Sequence, residues 1–242
     1  MKITDWMDDN GYITQHPKYG ADCGDTANRH GVYHTFRTDE VYVWGAHNFV
    51  IPSGQVVRHP EGEQVWTREE DRSSRDQNIP ILCALIKING VESALPRIAS
   101  AVMRNFSRFH NYIHNGRYER KPWYTVDVAG PEIWGLFIRG LKLWYLYPLL
   151  CIFDFETLVG TVLWNKFKKE SNNDIPQHLC VVKTINDVMP TPFGWLALKL
   201  LNKESAILKV KQYYDFPGYS TEELKDQVPI GEMIIKWLKG KS

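Results

Sequence analysis

Asp76-Gln-Asn-Ile-Pro-Ile-Leu-Cys-Ala-Leu-Ile-Lys-Ile-Asn89 is the stretch on which the fold turns. Asp76 is a good helix cap, Pro80 is expected in the permissive first turn, and Gly90 supplies a stop. Ile81, Leu82, Leu85, Ile86 and Ile88 leave almost no polar face, so this helix is expected at the centre of the molecule. The segments that follow read the same way. Leu95, Ile98, Val102, Phe106, Phe109 and Ile113 recur at three- and four-residue steps and predict a helix over 93–114. Gly130-Pro131-Glu132 opens another, expected to run to Tyr147, where Pro148 breaks it. A further helix is expected over 149–169, and shorter ones at about 176–188, 192–203, 204–214, 220–226 and 229–239.

The first third is less regular. Residues 25–37 predict a helix capped by Asp25 or Thr26. Residues 41–51 fit either a strand or a buried helix, and 52–73 read as a long loop of the kind that often carries function. The expected architecture is mainly α and forms a single domain over 1–242. A polar, loop-rich region (1–80) joins a helical packing region (81–242).

Composition sets the outer bounds. With 43% hydrophobic and 24% charged residues, the chain is neither disordered nor fibrous. Lys and Arg (29) balance Asp and Glu (28), which gives no support to a nucleic-acid partner. The balance is uneven along the chain, with thirteen acidic and eight basic residues in 1–80 and fifteen and twenty-one in 81–242. Cys23, Cys83, Cys151 and Cys180 are widely spaced, so no zinc knuckle or disulfide framework is expected, and a reducing compartment is. The first nine residues are polar and acidic, unlike a secretory signal. The apolar run 143–153 stops at Asp154 and Glu156, so a membrane-spanning helix is not expected and a cytoplasmic location is.

Three polar blocks could carry chemistry. Asp22-Cys-Gly-Asp-Thr-Ala-Asn-Arg-His-Gly-Val-Tyr-His34 puts two carboxylates, an amide, a guanidinium and two imidazoles at one loop-to-helix junction. Arg58-His59-Pro60 and Ser74-Arg75-Asp76-Gln77 are the others. If all three fold together, Asp25 and Asp76 become an acid/base pair assisted by His59. Asn28, Arg29, His34, Arg58 and Arg75 would then hold the substrate, with Trp44 and Trp66 as stacking platforms. The bland alternative is a capped helix whose polar residues face water. His30 and His34, one helical turn apart, could also share a metal ion with Asp25 or His59, and His110 and His114 repeat that spacing. No P-loop, GxGxxG or GxSxG motif occurs, and no other cofactor is expected.

The same blocks, followed by the Trp- and Leu-rich segment 134–164, resemble phage and bacterial proteins that have no assigned activity. A helical chain with polar helix starts and a Trp-rich interior is also similar in architecture to α/α-toroid carbohydrate enzymes, in a partial or irregular form. Two expectations follow. One is a hydrolase or lyase acting on a glycan through Asp25 and Asp76. The other is a non-enzymatic phage or membrane-peripheral protein that makes contact through the aromatic segment 134–164.

Overall fold

Residues 77–86 are buried without exception, and the helix that carries them lies at the middle of the molecule. The computed structural model describes residues 7–13, 26–37, 45–52, 56–61, 75–88, 110–114, 117–121, 131–166, 175–201, 203–214 and 228–240, with 4, 92, 94–96 and 99. Its helices are α1 (Thr26–Phe36), α2 (Arg75–Ile88), α3 (Pro131–Gly140), α4 (Tyr147–Lys166), α5 (Ile175–Asp187), α6 (Pro192–Leu200), α7 (Lys203–Tyr214) and α8 (Val228–Lys239). Short 3-10 turns occur at Ala46–Phe49 and Trp144–Leu146. The fold is mainly α, as the sequence predicts. α2 packs on α1, α3 and α5, while α4 lies against α3 and α6. One core cluster runs from Tyr12 to Leu238 and draws on both the polar first third and the later helices.

The tightest packing is between α1 and α2. A Cβ on Gly31 would lie 2.4 Å from the Pro80 carbonyl carbon and 2.5 Å from the Ile81 nitrogen, so only glycine permits this backbone approach. Pro80 is not in the first turn as expected. It is the sixth residue of α2, where a proline removes a helical hydrogen bond.

Other boundaries also differ from expectation. Residues 110–114 form not the end of a helix but strand β1 (His110–His114), paired antiparallel with β2 (Arg117–Lys121) in the register His110↔Lys121 to His114↔Arg117. The intervening Asn115-Gly116 is the residue pair favoured in tight hairpin turns. Four residues along a strand span about 13 Å, so His110 and His114 cannot share an ion as they could on a helix. α3 ends at Gly140 instead of running to Tyr147. The Leu143 amide bonds back to the Ile138 carbonyl (3.2 Å) and the Lys142 amide to Arg139 (3.1 Å), the bonding of a Schellman stop. Its left-handed position, normally glycine, is held by Lys142 at φ 54°, a strain of about 1 kcal/mol. Pro148 then sits in the first turn of α4, where proline is tolerated. Residues 41–44 and 220–226 lie outside the described residues.

Candidate functional site

α1 is buried along its whole length, which removes the expectation of a water-facing polar helix. Its start is where the three polar blocks meet. The Ala27 amide donates to the Arg58 carbonyl (3.0 Å), and the Asn28 amide donates to Gln77 Oε1 (3.0 Å). Gln77, part of the third polar block but given no role by its sequence position, thus satisfies one of the helix's orphan donors.

His59 is buried, and its carboxylate partner is Asp8, which lies outside the three polar blocks. Asp8 closes a tight turn in which its Oδ1 accepts the Asn10 (3.0 Å) and Tyr12 (2.9 Å) amides. Its Oδ2 meets His59 Nε2 at 2.7 Å. His59 Nδ1 accepts the Glu61 amide at 3.0 Å, so the ring proton sits on Nε2 and is donated to Asp8. Burial pushes the Asp8 carboxyl up, but the hydrogen bonds from His59, Tyr12 and Asn10 outweigh it and hold the group below its ordinary value. Tyr12 stands edge-on to His59, His30 and Phe49, with centroids 5.1, 5.7 and 5.4 Å away. Its phenol, raised by burial, accepts a hydrogen bond from Asn48 Nδ2 (2.9 Å).

His30 and His34 stack along α1 with centroids 4.3 Å apart. His30 Nδ1 takes a long bond (3.5 Å) from the Ile13 amide. His34 is 4% exposed, and neither of its ring nitrogens has a hydrogen-bond partner among the described residues. Burial, reinforced by His30, Arg37 and Lys87, brings its pKa down to about 2. Thr26 Oγ1 and Arg29 Nη1 are likewise buried without a partner among the described residues. Among those residues no group of three His, Cys, Asp or Glu side chains is placed to hold a metal. The structure therefore brings Asn28, Arg29, His30, His34 and His59 to one buried region, with the half-buried Arg58 joined to it through its carbonyl. The side chains of Asp76 and Arg75, and all of Asp25, Trp44 and Trp66, lie outside the described residues.

A second feature lies on the opposite side of the sequence. α4 faces the wrong way for a helix of a water-soluble core. Its buried side carries Leu150 and Leu158 but also Asp154, Thr157 and Thr161, whereas Leu149, Ile152, Phe155, Val159, Val162 and Leu163 face outward. The preceding 3-10 turn adds Trp144 at 75% exposure and Tyr145 at 60%. Residues Trp144–Leu163 are long and apolar enough to cross a membrane, and only 22% of the segment is buried. Asp154, which interrupts the apolar run in the sequence, pairs with Arg139 of α3, both almost fully enclosed. The same carboxylate accepts the Thr191 hydroxyl. Thr191 Oγ1 in turn caps α6 through the Gly194 amide (3.1 Å), and Arg139 Nε reaches the Met189 carbonyl (3.2 Å). The charge therefore points inward, and α6 continues the outer face with Phe193, Trp195, Leu196 and Leu200. Lys199 folds over the Trp195 ring at 5.0 Å.

No protein-family model matches the chain, and neither the curated proteins nor the solved structures yield a match.

Proposed function

We propose that this protein is a non-enzymatic peripheral membrane protein that docks on an anionic bilayer surface through the face formed by α4 and α6. The observation that carries this reading is the orientation of α4, with polar groups satisfied inside and its longest apolar stripe outside. In water that arrangement leaves an exposed patch of the kind that marks interaction surfaces. Against lipid it is the expected arrangement. Trp144, Tyr145, Tyr147 and Trp195 are the amphipathic rings that sit at headgroup depth. Lys142 and Lys199 flank the face and favour anionic lipid. Glu156, exposed in the middle of the stripe, makes a full crossing costly and favours a helix lying in the interfacial plane. It also disfavours a second copy on the same face, since an antiparallel α4 pair would set the two Glu156 carboxylates against each other. A cytoplasmic location, expected from the sequence, suits the anionic inner leaflet.

Glycan hydrolysis or lysis, the other expectation, gains nothing from the described residues. A general base needs a free nitrogen within reach of substrate, and both nitrogens of the enclosed His59 are engaged.

Vesicle flotation tests the docking. The full chain is expected to float with phosphatidylcholine vesicles containing phosphatidylserine and to lose that behaviour in Trp144→Glu and in Ile152→Glu, both at exposed positions, with circular dichroism unchanged. A folded chain that stays at the bottom of the gradient with every vesicle overturns the reading and makes a protein partner the occupant of the face.

A further inference from the structure

We propose that the cavity between α1, α2, α5 and the turn after α3 is a binding site for a phosphate-bearing anion. The cavity measures about 220 Å³. At roughly 30 Å³ per water this is room for about seven waters, below the range of drug-sized ligands, and it suits a small polar group. Its charged wall consists of Lys87, Lys142, Lys183 and Asp187, three ammonium groups against one carboxylate. Lys183 and Asp187 pair one turn apart on α5. Lys87 is held in place by the carbonyls of His34 (3.1 Å) and Arg37 at the end of α1. The remaining wall mixes the Thr35 and Thr184 hydroxyls, which donate to the Gly31 and Cys180 carbonyls, with Ile86 and Val188. Cys83 is part of it, with Cys180 hydrogen-bonded behind. Burial pushes the Cys180 thiol well up, so that sulfur stays neutral and does not repel an anion.

Among the described residues, the one non-glycine in a left-handed conformation is on this wall. Lys142 occupies a left-handed position that glycine would fill without cost, at the rim where three elements converge. Strain retained at one side chain points to a task for that side chain. Lysine is a point-charge phosphate binder, and its place two residues before Trp144 puts the cavity beside the docking face. A phosphate could therefore come from solution or from a lipid headgroup. The soluble case requires no bilayer, so this inference stands or falls separately from the docking reading.

The test uses the full chain and three variants. Inorganic phosphate titrated into the protein by calorimetry, in a phosphate-free buffer, is expected to bind in the millimolar range or tighter. Lys142→Gly removes the ammonium and relaxes the backbone. It is expected to weaken binding by about tenfold or more, the loss of one charge-assisted hydrogen bond, while the melting temperature holds or rises. Lys183→Met is expected to weaken binding as well. Asp187→Asn frees Lys183 and is expected to tighten it, a change that a merely structural pair would not produce. In flotation, a preference for phosphatidic acid over phosphatidylserine at equal charge, lost in Lys142→Gly, assigns the lipid source. Phosphate binding that depends on Lys142 without that preference assigns the soluble source. Absence of both, or binding indifferent to Lys142, overturns the proposal.

Discussion

The pH dependence of folding should be dominated near neutrality by His34. Its folded pKa is about 2, against about 6.5 for an unfolded histidine. Between those values the unfolded chain binds a proton that the folded chain refuses. Stability therefore falls as pH drops below about 6.5, by about 1.36 kcal/mol per pH unit. From pH 7 to pH 5 the loss is about 2 kcal/mol, a large part of a typical 5–15 kcal/mol. Asp8 leaves this window undisturbed. Its carboxyl is held low, so its contribution is present above about pH 4 and disappears only below that. His34→Leu keeps similar volume and removes the two unpartnered ring nitrogens, so it is expected to be as stable as the parent at pH 7 or more stable. Urea unfolding followed by tryptophan fluorescence, run across this range, should show the parent losing about 2 kcal/mol more than the variant. Parallel curves for the two proteins would refute the argument that a buried neutral imidazole sets the slope.

Four further outcomes follow, three from the packing and one from the outward stripe of α4. Asp154→Asn leaves the Arg139 guanidinium enclosed without its counter-charge and should cost about 3–5 kcal/mol in urea unfolding, most of it recovered in Asp154→Asn with Arg139→Met. Gly31→Ala drives a methyl into the Pro80 and Ile81 backbone and should cost about 2 kcal/mol. Gly160→Ala, whose Cβ would find His178 no nearer than 3.7 Å, should raise stability by up to about 1 kcal/mol. Glu156→Gln removes the carboxylate from the outward stripe of α4 and should strengthen partition to zwitterionic vesicles several-fold in flotation, and an unchanged or weaker partition would contradict the placement of that stripe against lipid.

The parts of the fold legible in the sequence were those whose apolar residues decide burial by themselves. The run from Ile79 to Ile86 has no polar face, and α2 is central for that reason. Local stop and start chemistry was harder to read. Pro148 looks like a helix breaker until the chain has already stopped at Gly140 and restarted, whereupon the same residue belongs to a first turn. In 93–114 the apolar spacing outweighed Asn115-Gly116, the signal for the hairpin that begins at His110. The candidate region around α1 was half visible. Asn28, Arg29, His34 and His59 are identifiable as polar residues of the region, but Asp8 meets His59 across 51 residues of chain and Gln77 meets the Asn28 amide across 49, and single-sequence patterning carries no such long-range signal. The orientation of α4 was recorded, though faintly: Asp154, Thr157 and Thr161 recur at three and four residues, and that polar stripe marks the inner face.

That orientation bears on how the chain reaches its native state. During collapse in water, a helix such as α4 gains most by turning Leu149, Ile152, Phe155 and Val159 inward. The finished structure holds it about half a turn away from that arrangement. The earliest and the final burial of this helix therefore compete, a local frustration of the landscape. The contact that resolves the conflict is directional: Asp154 finds Arg139 and the Thr191 hydroxyl only in the native rotation. The ion pair works as a rotational key for α4, and refolding without it should stall in a compact state with the helix turned the other way.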